Sequence, residues 1–191
     1  MPHVHVLHYK RNGGISMYPE AYIEYLAHFH GLRDYFECHE ILEEHWKEDP
    51  RESRKLHWVG LIQIAVGLYH HRRGNFTGAK RMITNARRIV LNEREELENL
   101  AINVDELSDK LSSELQRIYE ALPYNSFEIP ITNNALITMC QNRCLELGCI
   151  YGSKSDLANI ELIDRHTRRD RSDIIQERKQ QQQLKQQKRN G

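Results

Sequence analysis

From about Leu56 to His71 the chain is apolar nearly all the way round a helical wheel, a pattern that marks a buried helix rather than a surface one. Such an element has to be covered by its neighbours, so the spacing predicts a central helix inside a bundle. Gly60 and Gly67 stand two turns apart on one face of it. They let a partner helix come close, despite a propensity cost of about 1 kcal/mol for each glycine.

The flanking sequence supplies the partners. Pro19 opens a first helix that carries Tyr18, Tyr22, Tyr25 and Phe29 on one stripe and ends at Gly31. Asp34 caps a second, with Tyr35, Cys38, Ile41, Leu42 and Trp46 on its apolar face. Asp49-Pro50 stops that helix, because the residue before a proline is pushed out of the α region. Arg73-Gly74-Asn75 turns into a fourth helix, Phe76 to Leu91, which buries Ala79, Met82, Ile83, Ala86 and Val90. A fifth runs from about Val104 to Leu122 along the stripe Val104, Leu107, Leu111, Leu115, Ile118 and Leu122, and Pro123 closes it. No period-two alternation precedes residue 125, so the class is all-α: a compact bundle of about five antiparallel helices with a C-terminal helical or disordered extension.

A chain of 191 residues with 39% apolar content can bury one core and carry an appendage. We expect the helical core domain over residues 16–131. A short helical extension follows over 132–164, and then a polar Arg/Gln-rich tail over 165–191 that cannot bury enough surface to order itself. The 27 Lys and Arg balance the 27 Asp and Glu, so no net field draws in nucleic acid or an acidic membrane. No apolar run reaches the roughly 18 residues that span a bilayer, and the first residues carry His3, His5 and His8 without a hydrophobic signal core. These features predict a cytoplasmic protein with reduced thiols at Cys38, Cys140, Cys144 and Cys149. Its partner is an unknown small molecule or protein, and neither a membrane nor nucleic acid is expected. A homodimer stays open, since a nearly all-apolar helix can finish its burial at a dimer interface.

Two further patterns read as structural. Cys140-x3-Cys144-x4-Cys149 lacks the Cys-x2-Cys pairs of structural zinc sites, so these are expected to be buried or idle thiols. From His70 to Arg88 there are six Lys/Arg and no acid. Without interleaved aromatics that strip reads as a solvated helix face.

The chemically richest stretch is Glu37 to Trp46. At 100° per residue, His39 sits at the edge of the buried stripe with Glu43 just beyond it and Glu40 further round, while Glu37 and Glu44 point away. On the central helix the same projection puts Val59, Gln63, Val66 and His70 on one face. His39-Glu40-x-x-Glu43 is similar to the zinc-protease helix with its last ligand replaced by a carboxylate. Residues i and i+4 can grip one metal there, and Glu40 could serve as general base. Adding His70 or Gln63 gives an N/O donor set suited to one divalent metal, Zn, Mn or Fe. The alternative is a hydrogen-bond network that fixes how two helices pack.

Three motifs then carry a resemblance: Tyr35-Phe36-Glu37-Cys38-His39-Glu40-x-Leu42-Glu43-x-x-Trp46, Gly60-Leu61-Ile62-Gln63, and Tyr69-His70-x-Arg72-Arg73-Gly74-Asn75-x-x-Gly78-Ala79. In this order and spacing the chain resembles the small bacterial and archaeal domain-of-unknown-function family 309 over about residues 18–131. The resemblance implies a compact helical bundle. It also implies the label of predicted metal-dependent hydrolase that some members have been given, on a Glu-x-His-Glu-x-x-Glu pattern that falls here on Glu37, His39, Glu40 and Glu43. The expected site therefore has His39 and Glu40 as catalytic groups, His39, Glu43 and His70 as metal ligands, and Glu37, Gln63, Trp46 and Tyr69 in support. Against this reading of an uncharacterised bundle as a hydrolase stands a non-catalytic interaction domain, or a phosphate binder using the basic strip.

Overall fold

The computed structural model describes residues 17–164; the polar tail, the N-terminal histidines and the first residue of the expected core lie outside them. Among the described residues every regular element is helical: α1 Glu20–Ala27, α2 Tyr35–Glu48, α3 Leu56–Arg72, α4 Phe76–Asn92, α5 Arg94–Asn99, α6 Val104–Tyr119, α7 Asn134–Glu146 and α8 Ile160–Ile163. A π-turn, His28–Leu32, joins α1 to α2. The first compact unit runs to Ala158, and the second begins at Asn159, which caps the short α8 by accepting from Leu162 N at 3.0 Å.

Helix starts follow the capping chemistry of the sequence. Asp34 accepts from Glu37 N, Asn75 from Gly78 N and Asn103 from Glu106 N, so α2, α4 and α6 each begin with an answered orphan donor. The end of α6 departs from expectation. The helix closes at Tyr119, Ala121 takes a left-handed φ of 51°, and Leu122 lies on the surface instead of extending the apolar stripe.

Helix α3 is the central element, packed most extensively on α4 and next on α2. The glycine reading has a direct geometric counterpart. A Cβ on Gly60 would come 2.9 Å from Ile89 Cγ2, and one on Gly67 would come 2.5 Å from Ile83 Cδ1. The projected face Val59, Gln63, Val66 and His70 is where α3 meets water, since all four are only partly buried. Tyr22 and Tyr25 pin α1 to the rest by donating to Leu100 O and Leu61 O, both at 3.0 Å.

Burial does not stop at residue 131. Leu136, Cys140 and Cys144 are fully buried on one face of α7, which packs on α1, and Arg143 bridges Glu24 of α1 at 2.5 Å. Before it, the extended stretch 123–132 buries Tyr124, Phe127 and Ile129 and pairs Ile131 with Ile102 in an isolated antiparallel bridge. This strap brings Glu128 against His30 and Arg33, at the turn between α1 and α2.

Candidate functional site

On α2 the helical repeat gathers three of the expected residues. His39 Nδ1 lies 3.1 Å from Glu40 Oε1, and its Nε2 lies 3.3 Å from Glu43 Oε2. Lys47, one turn on, reaches Glu43 Oε1 at 2.9 Å. One donor atom from each of His39, Glu40 and Glu43 falls within 4.8 Å of the others, and each side chain is about a third exposed. One imidazole and two carboxylates is a donor set that Zn, Mn or Fe can use.

His70 is not in that donor group. It sits at the α3–α4 corner, where Asn75 turns back and its amide meets His70 Nδ1 at 3.1 Å. The third sequence motif describes this corner. Gly74 takes φ 71° to make the turn, Asn75 caps α4, and a Cβ on Gly78 would come 3.0 Å from the His70 ring. The supporting residues have separate duties. Glu37 contributes its backbone N–H to the Asp34 cap, Trp46 lies under the Arg54 guanidinium at 4.6 Å, and Tyr69 is buried with Arg73 over its ring at 5.3 Å. Gln63 Oε1 is buried without a hydrogen-bond partner among the described residues.

Two buried polar networks went unread in the sequence. Arg33, fully buried at a left-handed φ of 55°, donates Nε to Ser153 O at 2.7 Å and Nη1 to Phe127 O at 2.5 Å, and pairs Nη2 with Glu128. His30 donates Nδ1–H to the other Glu128 oxygen at 2.7 Å. Burial pulls His30 down and keeps the ring neutral, so Arg33 is the charge partner of Glu128. Burial opposes the Glu128 charge, yet the hydrogen bonds from His30 and Arg33 prevail and hold the carboxyl at about 2. Arg72 extends the network from α3, donating to Arg33 O at 2.7 Å and to Ser155 Oγ at 3.0 Å beneath the Tyr35 ring. Beside it a cavity of about 370 Å³ is lined by Tyr124, Asn125, Ser126, Lys154, Ser155 and Leu157.

The second network is His71 with Glu114. The ring's Nδ1 is 2.6 Å from Glu114 Oε1 and its Nε2 is 2.9 Å from Leu122 O. An ionised Glu114 and a carbonyl both accept only, and opposite them both ring nitrogens carry protons. Burial works against that charge, but the Glu114 hydrogen bond and the Leu122 carbonyl outweigh it and the pKa is raised. A signal for this pair was present: Leu107, Leu111, Glu114 and Ile118 form one helical stripe, and a glutamate on a buried stripe requires a cation opposite.

Comparison with known proteins adds the family. The profile described as "Domain of unknown function (DUF309)" matches residues 22–82. A protein of Bacillus subtilis (strain 168), named "Uncharacterized protein YpuF", is 48% identical over 162 residues, covering 85% of this chain and 93% of its own length. The chain belongs to the DUF309 family. No solved structure matches it significantly. The DUF309 match takes in α2, α3 and the α3–α4 corner, so it contains both the His39 cluster and the glycines that seat α3 on α4. The strap carrying Glu128 and the cysteines of α7 lie beyond the matched residues. No helix among the described residues is long and apolar enough to cross a membrane.

Proposed function

We propose that this DUF309 chain binds one divalent cation on the outer face of α2, with His39, Glu40 and Glu43 holding it, and that this centre is the functional site. The observation that carries the reading is the convergence of three N/O donors within 4.8 Å on a water-accessible helix face. When bound there, a divalent cation supplies Lewis acidity and makes water more acidic, which is the chemistry of metal-dependent hydrolysis. The chain's own groups have defined tasks. His39 would offer one ring nitrogen without its proton, the other nitrogen carrying the proton. Glu40 would give up its 3.1 Å contact with His39 Nδ1 to contribute a lone pair. Glu43 must turn away from Lys47. For hydrolysis, the oxygen of Glu40 that is not on the cation is the one we assign to take a proton from water.

Zinc or manganese titration of the full chain with His3, His5 and His8 changed to alanine tests the reading. We expect about one equivalent of metal, lost in His39→Ala and Glu43→Ala with cooperative unfolding retained. Uptake that is unaltered in His39→Ala overturns it. One observation favours a second reading, in which the domain is a non-catalytic interaction module: both ring nitrogens of His39 already face carboxylates. In that case no metal binds, and His39→Ala lowers stability by about 1–3 kcal/mol.

A further inference from the structure

Cys144 and Cys149 bring their sulfurs to one spot. A Cβ built on Gly31 would lie 2.6 Å from Cys144 Sγ and 2.7 Å from Cys149 Sγ, so both thiols occupy the bare face of that glycine in the π-turn. Both cysteines are free. The backbone already closes the pair: Cys149 N donates to Cys144 O at 2.9 Å as Gly148, at φ 72°, turns the chain out of α7. Bringing the sulfurs to the roughly 2.05 Å of a disulfide needs a side-chain adjustment within a turn that is already folded back.

Access to the two sulfurs differs. Cys144 is buried beneath α1, its thiol directed at Ala27 O at 3.6 Å, whereas Cys149 is partly exposed. Burial and the adjacent Cys149 thiol push Cys144 up to about 12, which suits it to react second. We propose that Cys144 and Cys149 are a site of reversible oxidative modification, closing to an intramolecular disulfide with oxidants of the hydroperoxide class. With hydrogen peroxide, the Cys149 thiol gives up its proton and the thiolate attacks one peroxide oxygen; the O–O bond breaks, that proton ends on the departing hydroxide, and Cys149 sulfenic acid and the first water result. The Cys144 sulfur then attacks the Cys149 sulfur, its thiol proton goes to the departing hydroxyl, and the second water leaves. The two thiols lose two electrons and the peroxide is reduced to two waters.

The cross-link fastens a turn that serves the neighbouring network. Tyr151 stacks on His30 at 4.8 Å, and Gly152 N donates to His30 O at 3.0 Å, one residue before the Ser153 carbonyl that receives Arg33. Cys38 and Cys140 are the internal controls, both fully buried with thiols pushed up by that burial.

The experiment uses the reduced full chain treated with hydrogen peroxide, then unfolded, alkylated and cut with trypsin. Cleavage after Arg143 and Lys154 leaves both sulfurs in one peptide. We expect that peptide to escape alkylation and lack both thiol hydrogens, to recover both alkylation sites after dithiothreitol, and to stay fully open in Cys149→Ser. Cys38 and Cys140 should alkylate throughout. A peptide that remains doubly alkylated after peroxide, or one with Cys149 as sulfinic acid beside an alkylated Cys144, overturns the proposal.

Discussion

At the residue scale, two ionic pairs, each with a buried cation, make the stability of this apolar core depend on pH. With both nitrogens of His71 facing acceptors, the imidazolium is the form the folded state prefers, and its pKa is raised above its ordinary value of about 6.5. Stability from this group is therefore fully present below about 6.5 and is lost as pH climbs through the higher folded value. His71→Ala should destabilise below pH 6.5 by less than the roughly 3–5 kcal/mol of a fully stranded charge, because Glu114 keeps Arg117 Nε at 3.9 Å, and the deficit should shrink on the alkaline side. Urea unfolding of both proteins across that range measures it; a deficit that grows with pH would refute the charged pair. Glu128 has the opposite sign. Its carboxyl is depressed, so its contribution is present above about 4.5 and fades as pH falls toward about 2. These pairs were hard to read because their partners lie far apart in sequence: His71 and Glu114 are separated by 43 positions, His30 and Glu128 by 98. His39 with Glu43, one helical turn apart, could be read at once.

At the scale of elements, the α3–α4 contact rests on the absence of two side chains. Gly67→Ala would set a methyl 2.5 Å from Ile83 Cδ1 and 3.3 Å from Ile83 N, the latter a backbone atom with little freedom to move. The gain in helix propensity of about 1 kcal/mol is smaller than an overpacking cost of about 1–3 kcal/mol, so the change should destabilise. Gly60→Ala meets only the Ile89 side chain at 2.9 Å and should cost less. Ile83→Val in the Gly67→Ala background removes the nearest clashing carbon, and a double-mutant cycle by thermal unfolding should show favourable coupling. Additive effects would mean that the helices have simply moved apart. Hydrophobic period together with the capping and breaking residues gave the positions of α2, α4 and α6, each of which presents a stripe to the core, and α3 was legible because it is apolar nearly all round. The period did not reveal α5, whose six residues Arg94–Asn99 bury only Leu97. It also carried the last long stripe too far, since Leu122 fits the period while the chain has already turned at Ala121.

Across the first compact unit, the question is where the self-sufficient fold ends. We predict that the chain cut after Ile131 loses cooperative unfolding or solubility, whereas the chain cut after Ala158 keeps both. The first cut removes Leu136, Cys140 and Cys144 from the face of α1 and leaves Arg33 without the Ser153 carbonyl. Equal behaviour of the two would show that residues 132–158 are an accessory layer. Sequence periodicity weakens after residue 131 because this stretch buries its few apolar groups on α7 alone, through Leu136, Cys140 and Cys144, which no long repeating stripe announces. The placement of Arg33 carries a consequence for biosynthesis. Its acceptors lie 94 to 120 positions further along the chain, and at roughly 5–20 residues per second a ribosome needs on the order of ten seconds to deliver the last of them. Through that interval the guanidinium has to remain hydrated and the left-handed turn at Arg33 cannot be sealed. The α1–α2 corner therefore completes its hydrogen bonding only after translation has passed residue 153.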